Sequence, residues 1–211
     1  MFLSRIEIDA KRYDTRRALS SPQILHAAVE SCFPAKDDKD RKLWRLDCLQ
    51  GCLYLLILSP EKPDFSQFSR QFCSEGITGD TKDYLLLLAM VDSGLRFHFR
   101  LRANPVHSVA EKKGVRGKVY AHVTVEQKRD WLIKKAPACG FRSDTEMFDV
   151  VETDLMRFWR NGKARPVEIS AAVFEGELEV TDSDMFVKAL TEGVGRAKAY
   201  GCGLLTIIPK R

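Results

Sequence analysis

Asp92-Ser-Gly-Leu-Arg-Phe-His-Phe-Arg-Leu-Arg-Ala-Asn-Pro105 divides this chain in two. Asp92-Ser93-Gly94 is a turn signal and marks a boundary. Leu95, Phe97, Phe99 and Leu101 then alternate with Arg96, His98, Arg100 and Arg102, the period of a half-buried strand, and Asn104-Pro105 stops it. Upstream, residues 2–9 alternate in the same way and read as a first strand. Ser20-Ser21-Pro22 opens a helix, a serine cap followed by proline in the first turn. Ile24, Leu25, Ala28, Val29 and Cys32 give that helix one apolar face, and Phe33-Pro34 ends it. Residues 43–49 and 52–58 are strands around Gln50-Gly51, a hairpin signal. Residues 64–72 form a short helix with Phe65, Phe68 and Phe72 at helical spacing, and residues 84–91 read as a strand. The order is β-α-β-β-α-β.

Downstream of the boundary the order recurs. The strand over 95–103 is followed by a basic, glycine-bearing loop or hairpin over 106–122. A helix over 124–139 opens on a Thr124-x-x-Gln127 capping box. Strands at 147–159 and 167–180 flank Asn161-Gly162; a helix over 182–192 and a strand over 203–208 complete the set. The expected architecture is therefore α+β, two tandem ferredoxin-like domains over residues 1–92 and 95–211. It rests on element order alone, since the halves show no clear sequence repeat.

Composition narrows the function classes. The chain has 211 residues, 45% hydrophobic and 30% charged, which is globular rather than disordered. Its longest apolar run, residues 84–91, is far short of the ~18 residues a membrane span needs. The charged N-terminus is no secretory signal. Cys32, Cys48, Cys52, Cys73, Cys139 and Cys202 are scattered, with no Cys-x-x-Cys pair, so the expectation is reduced thiols in a cytoplasmic protein.

The net charge of +5 conceals a concentration: residues 96–129 hold nine basic and two acidic side chains, net +7. Arg100, Arg102, Lys112, Lys113 and Arg116 belong to it. A second cluster is Arg157, Arg160, Lys163 and Arg165; a third is Lys11, Arg12, Arg16 and Arg17. Any one cluster could be a solvated surface, but three in a chain this short favour a polyanionic partner. The segment from Gly193 to Gly203 holds four glycines in eleven residues with Arg196 and Lys198 among them. It lacks the Gly-Lys-Ser/Thr of a phosphate-binding loop, and it follows a helix and opens a strand, the reverse of a dinucleotide fingerprint. It is either a tight connection or an anion-binding loop.

Four histidines occur: His26, His98, His107 and His122. His98 falls on the polar face of the 95–103 strand, and His107 and His122 in the basic loop region. His26 lies in the first helix beside its apolar face, preceded by Arg12, Arg16 and Arg17. Metal chemistry has little support, because no His-x-x-x-His pair or His/carboxylate ligand set occurs.

Several strings together resemble the CasE-type CRISPR-associated endoribonucleases. They are Phe2-Leu-Ser-Arg-Ile-Glu-Ile8, Pro22…Leu25-His26, Trp44-Arg-Leu46, Arg96-Phe-His-Phe-Arg-Leu-Arg-Ala-Asn-Pro105, Val173-Phe-Glu-Gly-Glu-Leu-Glu-Val180 and the Gly193–Leu205 segment ending near Pro209. They run in order across almost the whole chain. The resemblance implies tandem ferredoxin-like domains and a metal-independent ribonuclease without cofactor. Such an enzyme binds the stem-loop of CRISPR repeat RNA, cuts at the 3′ base of the stem, keeps the product and joins other Cascade subunits. It places the catalytic histidine on His26. Many members carry a tyrosine one turn earlier, where this chain has Gln23, which can hydrogen-bond but not usefully ionise. Either His26 acts without an aromatic partner, or another residue such as Tyr13 substitutes. Arg16, Arg17 and Lys198 are candidate cations for the transition state, and the basic hairpin around residues 157–165 a candidate reader of the stem. A non-catalytic hairpin-binding subunit is the alternative.

Overall fold

The structure is a computed structural model that describes residues 1–34, 41–109, 117–159 and 166–210. By contacts the chain divides into two units, Met1–Met90 with Lys198–Leu204, and Val91–Ala197 with Leu205–Arg211.

The first unit runs β1 (Phe2–Ile8), α1 (Tyr13–Leu19), α2 (Pro22–Glu30), β2 (Leu43–Leu49), β3 (Cys52–Ser59), α3 (Ser66–Phe72), β4 (Asp80–Asp83) and α4 (Leu85–Leu88). Its sheet has the order β2-β3-β1-β4, every pair antiparallel, which is the ferredoxin-like arrangement. Alternation buries Ser4, Ile6 and Ile8 on one side of β1. That face meets Leu25 and Val29 of α2 and Phe68 and Phe72 of α3 in one apolar cluster. The β2–β3 turn places Gln50 at φ 52° and Gly51 at φ 82°, two left-handed residues as a tight hairpin turn requires.

The structure corrects the sequence reading in three places here. Residues 84–91 are not a strand. The fourth strand is the polar Asp80–Asp83, whose Asp83 carboxylate accepts from the Leu85 N–H at 2.9 Å and turns the chain into the short α4. An edge strand with little buried surface carries no apolar alternation to detect. Helix α1 was not foreseen, because only Thr15 and Ala18 are buried along it. Pro22 does stand in the first turn of α2, but the Ser21 side chain makes no capping bond.

The second unit runs β5 (Arg96–Ala103), β6 (Val106–Val109), β7 (Lys118–Ala121), α5 (Val125–Lys135), β8 (Phe141–Arg142), β9 (Phe148–Phe158), β10 (Val167–Val180), α6 (Ser183–Glu192) and β11 (Leu205–Pro209). Strand β5 lies between β11 and β10, and β9 pairs with β10, so the same strand order recurs. The chain is two tandem ferredoxin-like folds. Phe97, Phe99, Leu101 and Ala103 are buried as the alternation predicts, whereas Leu95 is exposed, ahead of the strand. The capping box of Thr124 and Gln127 forms. The helix it opens stops at Lys135, where Pro137 removes an N–H and the chain passes into a 3-10 turn, Pro137–Cys139. The basic stretch over 106–122 contributes β6 and β7, which among the described residues pair only with each other.

All six cysteines are free thiols. Burial pushes Cys32 up to about 12 and Cys73 up to about 11, so both behave as small apolar residues. No helix among the described residues is long and apolar enough to cross a membrane.

Candidate active site

His26 sits in the middle of α2, between the buried Leu25 and the exposed Ala27, so its ring lies where the apolar face gives way to solvent. The side chain is 38% exposed, yet Nδ1 is sealed from solvent and has no hydrogen-bond partner. The accessible part of the ring is therefore its remaining atoms. Glu30, one turn on, brings Oε1 to 3.9 Å from Nδ1, too long for a hydrogen bond. Glu30 also takes a 2.8 Å bond from Lys42 Nζ. The ionic neighbour of His26 is thus a carboxylate, although its sequence surroundings are arginines. Glu30 was not singled out from the sequence, although its i,i+4 spacing from His26 was there to be read.

Gln23 is half-buried one turn before His26, and Tyr13 opens α1 with 71% exposure. Helix α1 packs on α2 and carries Arg16 and Arg17 into solvent. Neither arginine has an ion pair among the described residues.

The glycine-rich segment reaches this helix. Lys198–Tyr200 form a 3-10 turn packed against both α2 and β2. Two contacts hold the chain there. Arg45, 1% exposed on β2, donates from Nη1 to the Leu204 carbonyl at 2.9 Å. The same guanidinium meets Asp47 with two bonds, Nε to Oδ1 at 2.8 Å and Nη2 to Oδ2 at 2.7 Å. Gly201, at φ +76°, lies close against the Trp44 ring: a Cβ there would fall 2.8 Å from Trp44 Cζ3. So Lys198 is carried on a turn docked to the His26 helix, while Arg196, exposed, precedes it in the second unit.

The other predicted cations divide by what their charge meets. The Arg12 guanidinium donates to the carbonyls of Arg70, Gln71 and Cys73 at 2.8, 3.0 and 3.2 Å, closing the C-terminus of α3. On the polar face of β5 the residues expected to face a polyanion meet acids instead. The β10 register sets Glu175 against Arg100, Glu177 against His98 and Glu179 against Arg96. Arg100 pairs with Glu175, and Arg102 with Asp154 at 2.7 Å. Lys210 and Arg142 reinforce the row at Glu177 and Glu179, at 2.6 and 2.8 Å. Arg157, 67% exposed near the end of β9, faces Glu168 across the strand pair at 3.2 Å. Lys112, Lys113, Arg116, Arg160, Lys163 and Arg165 lie outside the described residues, as does the Asn161-Gly162 turn. Among the described residues no group of three or more His, Cys, Asp or Glu side chains is arranged to hold a metal ion.

Fold and site together define the class: two tandem ferredoxin-like units, with a half-exposed histidine on α2 and exposed arginines on the adjoining α1. The chain belongs to the CRISPR-associated protein family, whose profile matches residues 1–209. It is similar to the CRISPR-associated endoribonuclease Cse3 of Thermus thermophilus, 27% identical over 221 residues, covering 99% of this chain and 100% of that protein. A solved structure of the endoribonuclease Cse3 bound to a 19-nucleotide RNA superposes with a TM-score of 0.83 at 26% identity, covering 99% of this chain and 100% of that one. The Cascade subunit CasE of Escherichia coli K12 is 26% identical over 121 residues, 55% of this chain and 59% of that protein.

Proposed function

We propose that this chain is an endoribonuclease that binds the stem-loop of a CRISPR repeat RNA and cleaves at the 3′ base of the stem. It then keeps the product as a subunit of a Cascade-type complex. The named relatives, an endoribonuclease with RNA bound and a Cascade subunit, support the reaction class and the partners. The observation that carries the reading is the setting of His26. One ring nitrogen is screened beside a carboxylate, the rest of the ring is open, and a glycine-rich turn bearing Lys198 is docked on the same helix.

The chemistry needs nothing the chain lacks. The nucleophile is the RNA's own 2′-hydroxyl adjoining the scissile phosphate, so the protein supplies neither nucleophile nor metal. The open side of His26 accepts the 2′-OH proton or gives one to the 5′-oxygen leaving group. With Nδ1 sealed from solvent, the other ring nitrogen is the working one. Arg16, Arg17 and Lys198 offset charge on the pentacoordinate phosphorus in the transition state. The products are a 2′,3′-cyclic phosphate and a 5′-hydroxyl. The A-form stem is held through phosphates and shape, because its deep major groove hides the base edges. Arg157 contributes to that hold, since an exposed pair with Glu168 is weak enough to yield to a phosphate. Arg196, two residues before Lys198 in sequence, is a further candidate cation. Arg12, Arg100 and Arg102, occupied as described, act on the fold more than on the RNA. The reaction takes place in the cytoplasm, where precursor RNA is made.

A second reading, a hairpin-holding subunit without catalysis, is favoured by Gln23 alone. The test is incubation with a labelled repeat hairpin in EDTA, beside His26→Ala. Cleavage by the parent only, leaving a cyclic phosphate, is expected. Tight binding with no cut in either protein would establish the second reading, and cutting by both would remove His26 from the chemistry.

A further inference from the structure

The β6–β7 ribbon is a feature for which the site around His26 has no use. It pairs with no further strand among the described residues, so both its faces depend on something else for cover. The register sets His107 opposite Tyr120 and Val109 opposite Lys118. Side chains alternate, so His107, Val109, Lys118 and Tyr120 share one face, and His122, two residues past Tyr120, continues it. His122 extends the ladder by donating its N–H to the Pro105 carbonyl at 3.0 Å.

Three rings meet on that face. The His107 and Tyr120 centroids are 5.9 Å apart with planes 29° from parallel, and the His107 and His122 centroids are 4.8 Å apart. Tyr120 is 48% exposed, His107 is exposed and His122 half-buried. Burial first, then His107 and Lys134, hold His122 below the ordinary histidine range against the opposing pull of Asp130. An uncharged imidazole near neutral pH is a flat π surface rather than a phosphate-binding cation. In sequence, Lys112, Lys113 and Arg116 join the two strands of the ribbon, Lys118 shares the face of the rings, and Lys134 acts on His122. Flat rings within a cationic field match a nucleic acid with an open base better than an apolar protein partner, which that charge would not suit. A paired stem keeps its bases stacked inside and offers no such face; an unpaired nucleotide does.

We propose that the His107–Tyr120–His122 face is a stacking platform for an unpaired nucleotide of the bound RNA. This rests on the RNA-binding reading above and adds a second contact zone to it. The decisive comparison uses a repeat hairpin and the same hairpin with its unpaired nucleotides made abasic, which removes the π faces and leaves every phosphate. The parent protein binds the abasic RNA about tenfold more weakly, the size of one base-on-ring stack. His107→Leu/Tyr120→Leu loses the same factor on the intact RNA and nothing further on the abasic one, whereas His107→Phe, which keeps a ring, retains the parent affinity. An unchanged circular dichroism melt for the double variant shows that the fold is not the cause. Equal loss on both RNAs, or parent-like affinity in the double variant, overturns the platform. Failure of the parent to bind either RNA overturns the RNA-binding reading beneath it.

Discussion

Gly201→Ala tests whether the docking of the glycine-rich segment organises the site. The residue sits at φ +76°, where an L side chain costs about 1–2 kcal/mol. The added Cβ would lie 2.8 Å from Trp44 Cζ3, 3.1 Å from Cη2 and 3.2 Å from Cε3. Trp44 is 3% exposed within the core, so the ring has little room to retreat, and overpacking of this kind costs about 1–3 kcal/mol. The sum is about 2–5 kcal/mol. Gly51→Ala is the matched control, because Gly51 has φ +82° with nothing within 4 Å of its Cβ position. It should lose only the backbone part. The assay is urea unfolding of both variants, with the difference between them read as the clash. Trp44→Phe, which lacks the outer indole atoms, should recover part of the loss in the Gly201→Ala background but not in the Gly51→Ala one. Single-turnover cleavage should fall further than RNA affinity in Gly201→Ala, because the displaced turn carries Lys198 on the His26 helix. Equal stability losses in the two alanine variants would refute the packing argument, and unchanged cleavage would refute its link to the site.

Three more expectations follow from contacts. Arg45→Met takes two guanidinium bonds from the buried Asp47 carboxylate, 4% exposed, and should cost about 3–5 kcal/mol by urea unfolding, with Arg45→Met/Asp47→Leu markedly milder. Arg12→Ala removes the guanidinium from three carbonyls of α3 and should cost about 1–2 kcal/mol, while filter binding of the hairpin changes less than twofold. The Lys210 ammonium holds Glu177 below the ordinary carboxyl range, against some desolvation. A depressed folded value stabilises above the ordinary range and is lost as pH falls through it. The urea midpoint should therefore drop on acidification below about pH 4.5, and Glu177→Gln should flatten that drop; a parallel curve for the variant would remove Glu177 from the effect.

Much of this was legible in sequence because burial imposes a period. Phe97, Phe99 and Leu101 announced β5, and β10 was read at its observed ends, Val167–Val180. The elements that escaped are those with little to bury. β4 is polar and α1 buries two side chains, so neither writes a pattern. The run 84–91 misled for the opposite reason: its leucines imitate a buried strand, yet Leu85 and Leu86 are exposed. The site divides in the same way. The family resemblance, not the helix pattern, singled out His26 among four histidines, and the i,i+4 spacing of Glu30 was available. The docking of Lys198–Leu204 on Trp44 and Arg45 was not, since it joins positions more than 150 apart in sequence through a carbonyl and a missing Cβ. Neither leaves a mark in residue type beyond the glycine itself.

The same distinction governs the charge. A count of lysines and arginines points to a polyanion, but it does not say which cations are available. The alternation that buries the phenylalanines of β5 turns Arg96, His98, Arg100 and Arg102 to the other face. The register of β10 then lays Glu175, Glu177 and Glu179 along it. Those acids are visible in Val173-Phe-Glu-Gly-Glu-Leu-Glu-Val180, at the same period of two, so two alternating strings of opposite sign in adjacent strands foretell a neutralised sheet face. Arg16 and Arg17 stand exposed on a short helix with no ion pair among the described residues, and the proposed reading assigns their charge to a phosphate. Replacing both with alanine should therefore weaken hairpin binding and reduce its salt dependence, whereas Arg100→Ala should lower stability with little effect on that slope. Filter binding across a salt series separates the two. A steeper loss of slope from Arg100→Ala than from the helix pair would show that the acidic row yields to RNA, and that pairing within the sheet does not decide which cations bind it.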